Sequence, residues 1–296
     1  MNSATRFWAA IAPGVFVLLW STGFIGARLG LPHAEPFVFL FVRFSLLAVL
    51  LAAVGMAWRA PWPTSWPQAA HLAVAGLLIH GTYLGGVFWA ISQGTAAAIV
   101  ALIVGIQPLL TAVAAGPYLG EKVTPRQWFG LVVGFVGIML VVGDDISLHP
   151  GNAAGIISSV VSLIGITAGT LYQKKHGGTM DLRTGSAIQF GAPALAMLIL
   201  SLTLEEGRIE WTGEFIFAIS WLIVVLSIGA MTLLYLLIRQ GSASKVASLF
   251  YLVPPVVAIQ AYYLFGETMS MFDIIGMLVA MAAVALVLHT GKPSNQ

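Results

Sequence analysis

Gly120-Glu121-Lys122-Val123-Thr124-Pro125-Arg126-Gln127 returns 146 residues later as Gly266-Glu267-Thr268-Met269-Ser270-Met271-Phe272-Asp273. In each stretch a Gly-Glu turn precedes a hydroxyl N-cap, with a polar residue three places on, the signature of a helix start. The same shift superimposes the whole second half on the first without a gap. Gly23 falls on Gly169, Arg28 on Lys174, Arg43 on Gln189, Phe44 on Phe190, Trp89 on Tyr235, Pro108 on Pro254 and Gly130 on Gly276. Each copy holds five apolar segments. Five is odd, so the second copy must enter a membrane from the opposite side.

The composition requires a membrane. Hydrophobic residues are 59% of the chain and charged residues 8%, against roughly 25% charged in a soluble domain. Mean hydropathy is +0.95. The net charge of +2 gives no reason to propose nucleic acid as a partner. Without cysteine there are no disulfides, thiolate metal sites or Cys nucleophile. Nothing calls for a cofactor or a metal.

A spanning helix needs about 20 apolar residues. Ten are expected, at 8–28, 36–56, 67–91, 95–115, 126–143, 152–173, 184–204, 215–238, 243–265 and 271–289. The first is read as a retained helix, since its apolar stretch is long for a signal-peptide core. The fold class is thus an all-α polytopic membrane protein, with ten transmembrane helices as two inverted five-helix repeats, 1–145 and 147–291. Pro108 and Pro254 sit mid-span, where a proline frees a backbone carbonyl and permits bending; they are the candidate gating residues.

Lys and Arg set the orientation. With both termini cytoplasmic, Arg6, Arg59, Lys122, Arg126, Lys174, Lys175, Arg183, Arg239, Lys245 and Lys292 lie inside. Only Arg28 and Arg208 lie outside, and Arg43 lies within a span. An inverted repeat is the architecture of alternating-access transporters, whose site lies between the halves near the midplane.

The two copies, each with a central Pro, a Gly-Glu turn and a Gly-containing last helix over Ala97–Val141 and Ala243–Val287, resemble the EamA family of the drug/metabolite transporters. Trp20-Ser21-Thr22-Gly23-Phe24 and Arg43-Phe44 add to the likeness, which covers nearly the whole chain. The resemblance implies a secondary transporter of a bacterial inner membrane, usually an exporter of amino acids or other small metabolites. The branch it looks most like is the bacterial aromatic amino-acid and paraquat exporters.

Polar groups inside a membrane are costly and mark function by default. No acid sits centrally in a span; Glu121 and Glu267 are read as ordering their turns. This disfavours a proton antiporter for cations, which needs an embedded carboxylate. Arg43 lies seven residues into the second span, either snorkelling to headgroups or anchoring an anionic substrate group. His80 is the most central ionisable group, with Tyr83 one turn on. The other substrate-binding candidates are Trp20, Gln107, Gln189, Tyr235 and Tyr251, against the alternative that such residues only bond between helices. Trp58, Trp62, Trp66, Trp128 and Trp211 fit an interfacial belt.

The partners expected are a small-molecule substrate, an amino acid or metabolite, and the lipid bilayer; monomer and dimer both stay open. The spans expected to wall the site are one to four and six to nine, with five and ten as peripheral supports. Two alternatives remain. A nucleotide-sugar or phosphate-ester exchanger needs several deep basic groups, and only Arg43 is one. An intramembrane enzyme needs clustered nucleophile and base or clustered metal ligands, and the His residues are scattered.

Overall fold

The computed structural model describes residues 3–95, 97–146, 153–178, 180–266 and 269–288. Glu267, Lys292 and the linker 147–152 lie outside the described residues. The first span is α1 (Ser3–Gly30) and the second α2 (Pro36–Ala57). The third is α3 (Trp66–Gly76), a π-helical turn at Leu77–Thr82, and α4 (Tyr83–Ser92). The fourth is split into α5 (Ala97–Val104) and α6 (Gln107–Leu119), and the fifth is α7 (Pro125–Ile146). The second half begins with α8 (Ala153–His176) and α9 (Thr184–Leu204) as the sixth and seventh spans. The eighth is α10 (Gly213–Trp221), a π-helical stretch at Leu222–Ala230, and α11 (Met231–Gln240). The ninth is α12 (Ala243–Ser248), a 3-10 turn at Leu249–Leu252, and α13 (Val253–Phe265), and the tenth is α14 (Met271–Leu288).

Among the described residues nine of these spans are long and apolar enough to cross a membrane. The remaining one, α7, is 22 residues long and apolar over Pro125–Val141. Their outward surfaces carry large exposed apolar side chains such as Val49, Phe129, Ile199 and Leu278, as lipid-facing helices must.

The expected helix starts are present. Thr124 and Gln127 exchange hydrogen bonds, the backbone N–H of each donating to the other's side chain at 2.8 and 3.3 Å. Ser270 and Asp273 do the same at 2.7 and 3.1 Å. Each preceding helix ends on a glycine in the left-handed region, Gly120 at φ 71° and Gly266 at φ 67°, which a side chain would strain.

Packing respects the repeat. The second span lies along the seventh and the fifth along the tenth; the first packs on the eighth and ninth, and the sixth on the third and fourth. Exchanging the halves leaves that pairing unchanged. The loops show that the exchange is an inversion. The turn between spans one and two meets that between seven and eight: the Arg208 N–H donates to Glu35 at 2.8 Å, and Phe37 and Val38 N–H donate to Glu205 at 2.7 and 2.8 Å. Burial pushes the Glu205 carboxyl above its ordinary range, more than these N–H groups pull it down. At the other end Thr184, opening span seven, donates to the Pro61 carbonyl beyond span two at 2.6 Å.

The fifth and tenth spans touch backbone to backbone through glycines. A Cβ on Gly276 would lie 2.6 Å from the Gly137 carbonyl oxygen, and one on Gly137 2.8 Å from the Ala280 nitrogen.

Candidate functional site

Both halves are broken at matching depths. In span four the α-helix stops at Val104 and restarts at Gln107, with Pro108 in the first turn of α6. In span nine it passes through the 3-10 turn and restarts at Val253, with Pro254 in the first turn of α13. The sequence suggests a kink, and the structure shows a local change of helix type at each site, with Ile106 and Leu252 still in the right-handed helical region; a proline that opens the next helical segment lacks only an N–H that has no partner there anyway.

A cavity lies against these breaks. Trp20 and Phe24 of span one, Tyr83 of span three, Gln107 of span four, and Phe250 and Pro254 of span nine wall it, and Ile166 of span six completes it. Its empty space, counted together with the part open to solvent, is about 570 Å3. Trp20 meets Phe250 edge to face, centroids 5.2 Å apart at 84°. Gln107 is 1% exposed; its Nε2 donates to Thr111 Oγ1 at 3.4 Å, and its Oε1 has no partner among the described residues.

Beside the cavity, two polar links join the halves. The Arg43 guanidinium, 2% exposed, donates to Ser227 Oγ from Nε at 3.3 Å and from Nη2 at 2.9 Å. His80 Nε2 pairs with the Tyr235 hydroxyl at 3.0 Å. Both links use the π-helical segments, Ser227 from span eight and His80 from span three. Phe190 stacks on the His80 ring at 4.1 Å.

The expected site residues therefore separate. Trp20, Tyr83 and Gln107 meet at the cavity with Pro254, while Arg43, His80 and Tyr235 form the links next to it. Gln189 donates to Gln173 at 2.6 Å, and the fully buried Tyr251 ring packs on Gly134 of span five. Neither of these two lines the cavity, nor do spans two, seven and eight. Glu121, expected to order its own turn, instead accepts the N–H of Ala243 at the start of α12 at 2.8 Å, tying that turn to span nine. Sequence reasoning missed Phe24, Phe250 and Ser227. The two phenylalanines sit at the signal that could have found them, since each is within a turn of a cavity aromatic or a helix break.

Residues 7–143 and 153–289 each match the EamA-like transporter family. The chain belongs to the EamA family. EamA proteins are transporters, so the enzyme alternative falls away. The chain is 24% identical over 290 residues to the "Uncharacterized transporter YvbV" of Bacillus subtilis, covering 97% of this chain and 93% of that one. It is 28% identical to the "Uncharacterized inner membrane transporter YedA" of Escherichia coli K12, covering 91% and 87%. A Salmonella typhimurium relative, the "Probable amino-acid metabolite efflux pump", is 24% identical, covering 90% of each. A solved crystal structure covers 94% of this EamA chain and 96% of its own with a TM-score of 0.78, a likeness of fold at 17% identity.

Proposed function

We propose that this EamA transporter exports amino acids or related small metabolites, aromatic ones among them, across a bacterial inner membrane by alternating access. The observation that carries the reading is the cavity walled by both halves at two matching helix breaks. The halves, 1–145 and 147–291, rock about it, and the Arg43–Ser227 and His80–Tyr235 links re-form with each swing. The relatives named as an inner membrane transporter and as a probable amino-acid metabolite efflux pump support the location and the cargo class. A panel of labelled amino acids and metabolites, offered to proteoliposomes with and without a pH gradient, tests it. Saturable transport of at least one compound, lost in a Trp20→Ala variant that stays folded, is the expected result. Transport of none defeats the reading.

Two further results are expected. Both termini are cytoplasmic, so in this cysteine-free chain an impermeant thiol reagent outside intact cells labels a cysteine at Glu206 and spares one at Lys175, both exposed positions. Equal labelling would reverse the topology. Pro108→Ala and Pro254→Ala let the broken spans run on as continuous helix, so each slows transport several-fold while the protein stays abundant in the membrane. Wild-type rates in both would show that the breaks do not act as hinges.

A further inference from the structure

The wall of the cavity is aromatic, it is uncharged, and it holds one buried acceptor that nothing satisfies. Four rings, those of Trp20, Phe24, Tyr83 and Phe250, offer flat apolar surface, and among the described residues none that walls the cavity is charged. Gln107 opens α6, and in the orientation its amide takes here Nε2 makes a long bond of 3.4 Å to Thr111 Oγ1, one turn on. Its Oε1 is left buried without a partner. A buried acceptor in that condition is costly, and a ligand that donates to it removes the cost. A carboxylate does the opposite. It is acceptor-only, so it meets Gln107 Oε1 oxygen to oxygen, and it enters apolar walls with no cation among them. The nearest buried cation the polar links supply, Arg43, already spends two donors on Ser227 and is not part of the wall.

We infer that this cavity selects compounds with a flat apolar body and an N–H donor head that bears no carboxylate, and that Gln107 is the residue that reads the head. The chemical class is that of neutral aromatic amides, in preference to the corresponding free acids. The inference rests on the reading of the cavity as the substrate site and, within the proposed cargo, favours related small metabolites such as amides over the free amino acids.

The test uses the purified full chain in lipid nanodiscs and a matched pair of probes, indole-3-acetamide and indole-3-acetate, with binding measured by calorimetry. The two share the flat body and differ only in whether the head donates or carries a negative charge. The amide is expected to bind at least tenfold more tightly. Gln107→Met keeps the length of the side chain and removes the acceptor; it weakens the amide about three- to tenfold, the range for one neutral hydrogen bond, and narrows the gap. Gln107→Lys supplies a cation and reverses the preference. The wild-type comparison stands even if a variant fails to fold. Equal binding of the two probes, or no binding of either, overturns the inference. Tighter binding of the acetate also overturns it, since the Gln107 amide must then be turned to donate. Transport of panel compounds without any amide preference leaves the exporter standing and removes this inference alone. Binding of the amide with no transport of any compound does the reverse.

Discussion

Gly76→Ala is expected to destabilise the protein by about 3 kcal/mol or more, the upper end of what overpacking a core costs. The added Cβ would lie 2.7 Å from both the Cα and the carbonyl carbon of Gln189, and closer still to its carbonyl oxygen. These are backbone atoms of α9, so no side-chain rotation relieves the clash, and α9 is itself packed along α2. Spans three and seven would have to separate. The control is Gly81→Ala, five residues on, where the nearest atom to a new Cβ is Pro193 Cβ at an ordinary 3.5 Å. That change should stay within about 0.5 kcal/mol, as for substitutions that disturb no special feature. Thermal unfolding in detergent, with elution profile as a check on dispersity, compares the two. Equal melting temperatures would mean that spans three and seven are not held this close.

The second large effect is expected at the cytoplasmic end. Lys174 ends α8 with its ammonium donating to the Ile238 carbonyl at 2.7 Å and to the Gly241 carbonyl, at the last turn of α11. Arg239 of the same turn donates to the Met180 carbonyl. A cation on terminal carbonyls satisfies orphan acceptors and complements the helix dipole. Hydrogen bonds to charged groups contribute about 1.5–3 kcal/mol, roughly ten- to a hundred-fold in an opening equilibrium. Lys174→Met should therefore raise the reaction rate of a cysteine at the buried position Met180 with a thiol reagent by about that factor. An unchanged rate would show that this clasp does not hold the inner end shut. The loop beneath is fixed independently: Arg183 bonds to Asp181 at 2.8 Å and holds its carboxyl down at about 2, so neutral pH leaves that turn intact.

These two sites differ in how far the sequence exposed them. The spans, the inverted halves and the capped starts at Thr124 and Ser270 are written in periodicity, repetition and local hydrogen-bonding chemistry, all of which act over a few residues. Lys174 could be placed at a span end in the same way, and its charge assigned it a side. Its acceptors could not, because they are backbone carbonyls 64 and 67 residues away. Gly76 looked like any small residue in a span. The partner of Arg43 was hidden for another reason. Ser227 lies in a π-helical stretch, where an extra residue per turn rotates the remainder of the helix by about 100°. A face assigned from the regular 3.6 period is then wrong beyond it. Gln189 and Tyr251 stand away from the cavity that Trp20, Tyr83 and Gln107 share without any such rotation, Gln189 on the uninterrupted α9 and Tyr251 in the 3-10 turn of span nine. Which aromatics meet there depends on helix crossings set by glycine contacts, and those require the partner helix to be known.

The short apolar run of α7 has a consequence for the surrounding lipid. From Trp128 to Gly143, between Gln127 and Asp144, it is 16 residues long and so rises only about 24 Å, against roughly 30 Å of hydrocarbon in an ordinary bilayer. Its glycine contact with α14 holds it tightly against that helix. The acyl chains along that flank must compress to keep the Asp144 end in contact with the headgroup layer, at a cost of fractions of a kcal/mol per ångström. Shorter-chain phospholipids should therefore gather on that side of the molecule, and reconstituted transport should run faster in thinner bilayers than in thick ones.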